Sequence, residues 1–347
     1  MMLAKTKRAD LIRRSLLNSV KAGNQHLIHD AVETFNVTRQ TVHSHLAALV
    51  KMGYLAADGN TRARTYRLGS HRSQDGVFEL KELHESDVYS RNFRFIFNGL
   101  PKNIEDICHY GFTEMLNNAI DHSCGTHAHI GVERTRQEIE IRISDNGEGI
   151  FNHIARIMKL PEPRESILEL SKGKLTTDPD NHTGQGIFFT SRVFDTFYIF
   201  SSDLIFTHDE GDAENYLLHN DEAHSGTHVF MRISLDSQKN LKTVFEDFSG
   251  NEDEDYAFNT TVVPVKLALY EGERLVSRSQ AKRILCRVEM FKTVLLDFNG
   301  VDYIGQAFAD EVFRVFANKN PHILLVPVKT NDEIMRMIKS VKSEVTK

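Results

Sequence analysis

Residues 111–123 read GFTEMLNNAIDHS, and this stretch decides how the middle of the chain is read. It reads as a helix, yet it carries Glu114, two asparagines, Asp121 and His122. Glu114 and Asn118 are four apart, so their side chains project from one helical face. The question is what a helix inside a globular core does with a carboxylate and a carboxamide one turn apart.

The flanks narrow the answer. Residues 137–144, QEIEIRIS, alternate strictly and predict a strand. The strand ends in DNGEGI at 145–150, and a long polar stretch follows through LPEP at 160–163 to Asn181. Then come HTGQGI at 182–187 and an apolar helix, FFTSRVFD. A later run, SGTHVFMRI at 225–233, opens another strand.

These pieces, in this order, resemble the GHKL ATPases: gyrase-type topoisomerases, heat-shock chaperone ATPases, mismatch-repair ATPases, histidine kinases and anti-sigma-factor serine kinases. The resemblance covers roughly residues 90–236. Its boxes are ExxxNA (Glu114, Asn118, Ala119), DNGEGI (Asp145, Gly147, Gly149), GQGI (Gly184, Gly186) and SGT (Thr227). Each box alone is common; four in order are specific.

The resemblance implies an ATP and Mg²⁺ site. Asn118 would help hold Mg²⁺, which prefers oxygen ligands and keeps several waters. Glu114 would polarise a water for attack on the γ-phosphate, and the metal would neutralise charge in a loose transition state. Asp145 would accept a hydrogen bond from the adenine amino group. Gly147 and Gly149 let the chain turn close to the base. Gly184 and Gly186 lead into a helix whose N-terminal N–H groups face phosphate. Thr227 occupies the later threonine position.

Residues 151–183 would form a lid, with a polar, glycine-containing segment SKGKLTTDPDNH. Lys172 and Lys174 would reach phosphate or lie on a solvated surface. His122, Cys124, His127 and His129 can be drawn as a metal cluster, although His122 directly follows the helix, where a polar residue needs no metal. Histidine kinases of the family carry a preceding dimerisation helix with the phosphoacceptor histidine. They also tend to have asparagine where this chain has Glu114. Hydrolysis or serine phosphorylation is therefore favoured over a phosphorelay.

At 347 residues, two or three domains are expected. The composition, 40% apolar and 26% charged, is globular. No apolar run approaches the ~18–20 residues that span a bilayer, and the basic N-terminus lacks a secretory signal. Cys108, Cys124 and Cys286 form no CxxC pair. Disulfides and a zinc knuckle are disfavoured, and a reduced cytoplasmic location is expected. Residues 1–72 hold twelve Lys/Arg against four Asp/Glu, so a net charge of −6 hides one basic end. That end suggests a polyanion partner.

In this basic end, helical spacing runs through Leu11, Ile12, Leu16, Leu17 and Val20, and a second helix through 27–35. NVTRQTVHSHLAALVKMG at 36–53 predicts a helix capped by Thr38, with Val42, Leu46, Leu49 and Val50 on one face. Two strands then flank an Asp58-Gly59-Asn60 turn. The first seventy residues resemble the winged helix-turn-helix of bacterial transcription regulators. The resemblance implies that Arg39, Gln40, Thr41, His43 and Ser44 meet base edges of double-stranded DNA. Arg62, Arg64 and Arg67 of the wing would meet phosphates. Residues 69–77, GSHRSQDGV, read as a linker.

Residues 246–255, EDFSGNEDED, hold six acids and no Lys or Arg, and mark a boundary. Beyond it, 262–270 is strand-like, a helix begins at Ser277, 292–298 is a buried strand, 302–316 turns into a helix, 323–328 is a strand and 331–345 a closing helix. This alternation suggests a small α/β unit. LVSRSQAKR at 275–283 and VLLDFNGVDYIGQAFADEVFRVF at 294–316 resemble a STAS-like domain of unknown function often joined to GHKL modules. STAS domains present a phosphorylatable serine where this chain has Ile304, Gly305, Gln306 and Ala307, with no hydroxyl. Ser277, Arg278, Ser279, Gln280 and Asp310 would form a ligand or partner surface, or helix caps.

The expected protein is thus α+β and multidomain: a winged-helix head (1–70), a GHKL sandwich (78–240) and a STAS-like tail (257–347). The expected function is a DNA-binding regulator switched by Mg-ATP binding and slow hydrolysis, able to dimerise on ATP, with a protein partner for the tail and no membrane association. The alternatives are a protein serine kinase of the anti-sigma-factor type and a DNA-stimulated ATPase of DNA processing or defence.

Overall fold

The computed structural model describes residues 2–24, 26–59, 64–175, 184–209, 218–249, 258–270 and 273–343. Asn60, Arg62, residues 176–183 of the expected lid and residues 250–255 of the acidic run lie outside the described residues.

The head comprises α1 (Met2–Lys21), α2 (Leu27–Phe35), α3 (Arg39–Lys51) and an antiparallel pair, β1 (Leu55–Asp58) and β2 (Thr65–Leu68). Ile12, Leu16, Leu27, Val42, Leu46, Leu49 and Leu55 form its core. Thr38 caps α3 as its sequence predicts, its hydroxyl oxygen accepting from the Thr41 amide at 3.2 Å.

The linker expected over 69–77 is instead mostly a strand, β3 (Arg72–Glu79). It pairs antiparallel with its neighbour at the edge of a five-stranded sheet. Only one side of an edge strand is paired, so a polar sequence suits it. The remaining joint is three residues long and firmly held. The Gly69 amide donates to the Tyr54 carbonyl (2.8 Å), and the His71 amide to that of Gly53 (3.0 Å). The His71 ring stacks on Tyr54 at 4.0 Å and its Nε2 meets Glu133 Oε1 at 2.7 Å. Arg72 Nη1 donates to the Phe95 carbonyl at 2.6 Å.

Next come α4 (Glu85–Val88), a π-helical turn over Tyr89–Phe93, α5 (Arg94–Phe97) and α6 (Lys102–His122). They are followed by β4 (His127–Arg134), β5 (Glu138–Asp145), α7 (Ile150–Met158), α8 (Glu165–Lys172), α9 (Gly186–Val193), β6 (Thr196–Asp209) and β7 (Leu218–Ser234). The sheet runs β3-β4-β5-β7-β6 with every neighbouring pair antiparallel. The alternation of β5 buries Ile139, Ile141 and Ile143 and leaves Arg142 exposed. Asp145 is next on the buried face, so the strand's own period turns a carboxylate inward. Phe93, Phe97, Phe112, Leu116, Ile130, Ile141, Phe197 and Met231 share this core.

The tail follows α10 (Leu241–Phe248). It contains β8 (Thr260–Pro264), α11 (Arg278–Leu285), β9 (Thr293–Asp297), α12 (Gln306–Asp310), α13 (Ala317–Lys319), β10 (Leu324–Val328) and α14 (Asp332–Ser343). Its sheet is parallel, in the order β10-β9-β8. The strand expected over 262–270 ends at Pro264, and a 3₁₀ turn takes Val265–Ala268.

The tail core is not closed on itself. Leu168 of α8 and Phe188 and Phe189 of α9 belong to the same hydrophobic cluster as Phe258, Val263, Leu285 and Phe291. Phe189 stacks on Phe245 of α10 at 4.1 Å. Helices that belong by chain position to the middle unit thus pack into both. Among the described residues, no helix is long and apolar enough to cross a membrane.

Candidate functional site

One end of α6 faces the C-terminal end of β5, and a cavity of about 260 Å³ opens between them. Glu114, Asn118, Asp145, Gly184, Gly186 and Thr227 all line it, with Met115, Ala119, Ile143, Ile150, Ile199 and Val229 as apolar walls. Residues from four sequence boxes, spread over 114 to 227, therefore meet at one place. Gly147 and Gly149 are not among the lining residues; they shape the bend beside it.

Asp145 is 8% exposed. Its Oδ1 accepts from the Gly147 amide at 2.8 Å and the Thr227 amide at 3.2 Å. Burial pushes its carboxyl above the ordinary aspartate range, while those two amides pull the other way. The Thr227 hydroxyl oxygen accepts from the Ile150 amide at 3.0 Å, satisfying a donor in the first turn of α7. Gly147 is confined by close approach: a Cβ there would lie 1.9 Å from the Ser123 carbonyl oxygen. The Glu148 amide donates to that same carbonyl at 3.0 Å. The glycine bend is thus fastened to the last turn of the helix that carries Glu114 and Asn118.

Gly186 opens α9. A Cβ there would lie 2.2 Å from Glu114 Oε2, so the glycine makes room for the carboxylate. The arrangement sets Glu114 against the start of a helix, where the unpaired N–H groups favour negative charge.

The lysines expected to reach phosphate do not point there. Lys172 is fully buried, its Nζ donating to Glu169 Oε1 at 2.7 Å and to the carbonyls of Cys286 (2.9 Å) and Arg283 (3.3 Å) in the tail. Lys174 Nζ donates to the Met290 carbonyl at 2.9 Å. An ammonium goes where carbonyls and a carboxylate replace its water; here the tail supplies the carbonyls and α8 its own Glu169.

The histidine and cysteine cluster drawn from sequence is not assembled. His129 pairs with Asp75 at 3.2 Å, and His127 Nδ1 meets the Thr126 hydroxyl at 2.9 Å. Cys124 instead lies near Glu148 and His153, with one ligand atom from each within 4.8 Å of the others. Arg156 Nη2 already sits 2.5 Å from Glu148 Oε1, as does His153 Nδ1. A guanidinium serving as counter-ion makes this an ion-pair cluster, not a cation site. Arg156 and His153 together hold the Glu148 carboxyl down at about 2. His153 lines the cavity, and its buried Nε2 has no hydrogen-bond partner among the described residues. Sequence reasoning missed His153, because a single histidine in an amphipathic helix carries no spacing signal.

In the head, Arg39, Gln40, His43 and Ser44 are exposed and Thr41 is half-buried, its hydroxyl 2.9 Å from that of Thr38. The Ser44 hydroxyl donates to the Gln40 carbonyl at 3.0 Å. Arg64 is exposed, and Arg67 pairs with Asp58 at 3.0 Å across the hairpin.

In the tail, Ser277 and Gln280 form a reciprocal capping box at the start of α11. Arg278 lies 3.5 Å from Asp310, and Arg314 also pairs with Asp310. Caps and ion pairs thus account for much of the polar group read there from sequence. A family model described as a STAS-like domain of unknown function matches residues 280–335, which span α11 to the first turn of α14. No curated protein matches the chain. The tail is therefore similar to the STAS-like domain over that span.

Proposed function

We propose that the chain is a DNA-binding regulator switched by Mg-ATP. The observation that carries the reading is the convergence of Glu114, Asn118, Asp145, Gly184, Gly186 and Thr227 on one cavity. The residues present suit the ligand. A buried carboxylate, already fixed by two amides, would accept the amino hydrogen of an adenine lying among Met115, Ile143 and Val229. Asn118 would hold the magnesium ion, and Glu114 would orient a water and take its proton. When bound, Mg²⁺ supplies charge neutralisation at the phosphates. The exposed face of α3 and the basic balance of the head support double-stranded DNA as the partner.

A switch requires the nucleotide to favour one arrangement; moving a population from 1:99 to 99:1 takes about 5.5 kcal/mol of differential binding. The test is Mg-ATP binding and turnover by wild type, Glu114→Ala and Asn118→Ala, each with and without duplex DNA. Asn118→Ala is expected to lose Mg²⁺-dependent binding, and Glu114→Ala to bind without turnover. Transfer of labelled γ-phosphate to a protein would point instead to a serine kinase. Turnover that rises with duplex DNA would point to a DNA-stimulated ATPase. Folded wild type that ignores millimolar Mg-ATP would end the nucleotide reading altogether.

A further inference from the structure

Helix α8 faces two ways. Leu170, and Leu175 just beyond the helix, line the cavity. Leu168 packs in the tail core, and Glu169 and Lys172 engage tail residues on the same side.

That second contact is built from fully buried charge. Glu169 is 3% exposed and Lys172 0%. All three ammonium hydrogens of Lys172 have acceptors: Glu169 Oε1 and the carbonyls of Arg283 and Cys286. Those carbonyls belong to the last turn and C-cap of α11, where the Arg283 carbonyl otherwise accepts only a long bond, 3.4 Å, from the Cys286 amide. The lysine of α8 therefore caps a helix of the tail, at the end where the helix dipole favours a cation. α11 is capped by its own Ser277 at one end and by the cavity wall at the other.

Arg287 completes the contact. Its Nη1 meets the other oxygen of Glu169 at 3.1 Å, and its Nη2 donates to the Lys174 carbonyl at 2.5 Å. The Thr261 hydroxyl donates to the Lys172 carbonyl at 2.6 Å, and the Leu175 amide to the Gly184 carbonyl at 3.0 Å. Residues 172 and 174 are thus tied to the tail and residue 175 to the glycine box of the cavity, while the Gly173 amide stays within α8, donating to the Leu170 carbonyl at 3.1 Å.

We propose that the STAS-like tail is the anchor of this cavity wall, with Arg287, Glu169 and Lys172 as positioning residues, so that ligand binding in the cavity and the placement of α11 are coupled. The proposal rests on the reading of the cavity as a nucleotide site. Coupling of this kind is reciprocal: whatever displaces α11 changes nucleotide affinity, and nucleotide changes the position of α11 by the same factor. The buried pair itself is a poor place to perturb, because removing one partner leaves an unpaired charge in the interior. Arg287 is better, since Glu169 keeps Lys172 when the guanidinium is gone.

The test uses the full chain as wild type, Arg287→Ala and Arg287→Lys. Amide hydrogen exchange across residues 165–175 is measured without nucleotide, and Mg-ATP affinity is measured by calorimetry. Arg287→Ala is expected to speed exchange in α8 and weaken Mg-ATP by about tenfold, with little change in melting temperature. Arg287→Lys is expected to recover most of that loss. The double variant Glu169→Gln, Lys172→Met removes both charges together and is expected to weaken Mg-ATP in the same direction. Wild type that binds Mg-ATP, with Arg287→Ala binding equally well, overturns the coupling alone. Unchanged exchange in α8 overturns the anchor. Wild type that ignores Mg-ATP overturns the reading of the site, while the exchange result still decides whether the tail holds α8.

Discussion

Replacing Asp145 by asparagine separates the fold of the site from its chemistry. The Oδ1 of Asp145 accepts two amide bonds, from Gly147 at 2.8 Å and Thr227 at 3.2 Å. An asparagine oxygen can keep both. Burial already pushes the carboxyl toward its neutral form, so a neutral amide removes a desolvation cost while weakening two acceptor bonds. These effects oppose each other, and the expected change in stability is under about 1 kcal/mol. Binding behaves differently. The second polar atom becomes an NH₂ donor that, on the proposed reading, would face the amino group of an adenine, itself a donor. One charge-assisted bond is lost and two donors are opposed, about 3 kcal/mol, or on the order of a hundredfold in affinity. Calorimetry with Mg-ATP and with Mg-ITP, whose base carries a carbonyl at the same position, reads both consequences. Asp145→Asn should melt with wild type, bind ATP about a hundredfold more weakly, and close most of the gap between ATP and ITP. A variant that melts normally and binds ATP within threefold of wild type would refute this account of Asp145.

Two further outcomes follow from the same geometry. Gly186→Ala places a methyl 2.2 Å from Glu114 Oε2, the far end of a flexible side chain that can swing aside. The fold should survive while turnover falls at least tenfold, on the order expected when a general base is misplaced; single-turnover kinetics and a melting curve together check this. The pH response should separate binding from stability. The Asp145 carboxyl is raised, so acid protonates it above the ordinary carboxylate range, which weakens adenine binding but does not by itself destabilise the fold. The Glu148 carboxyl is depressed to about 2, so the stability it contributes is complete above the ordinary glutamate range and is lost as pH falls toward about 2. Between those windows the protein should be folded by circular dichroism yet weak in nucleotide binding by calorimetry.

The cavity was legible where chemistry fixes spacing. Glu114 and Asn118 must be one turn apart to share a face, and the period of β5 carries Asp145 inward beside Ile143. Gly184 and Gly186 were readable as the GQGI box of the resemblance; a Cβ at Gly186 would meet the Glu114 carboxylate and one at Gly184 the Leu175 backbone. What escaped depends on partners distant in sequence. Lys172 and Lys174 look like lid cations until Arg283, Cys286 and Met290, more than a hundred residues later, supply their carbonyls. Residues 72–77 look like a tether because an edge strand needs no strict apolar alternation. His153 has a role only beside Glu148 and Arg156, a grouping made by the turn of α7 around the glycine bend. The acidic run suggested a simple boundary, yet Leu168, Phe188 and Phe189, well before it in sequence, pack into the tail core.

The three-residue joint between β2 and β3 has a mechanical meaning. Its amides are bonded on both sides of Ser70, and His71 is clamped between Tyr54 and Glu133. Helix α3 of the head is thus mounted on the sheet like a key on its shaft, through a joint held on several sides. A rotation of the sheet carried through this joint reaches α3 as a change of angle, so on the proposed reading a pair of chains would present their heads at a set pitch and span. On that reading, lengthening the joint by a few glycines is expected to leave DNA affinity per head unchanged while erasing any preference for one spacing between half-sites.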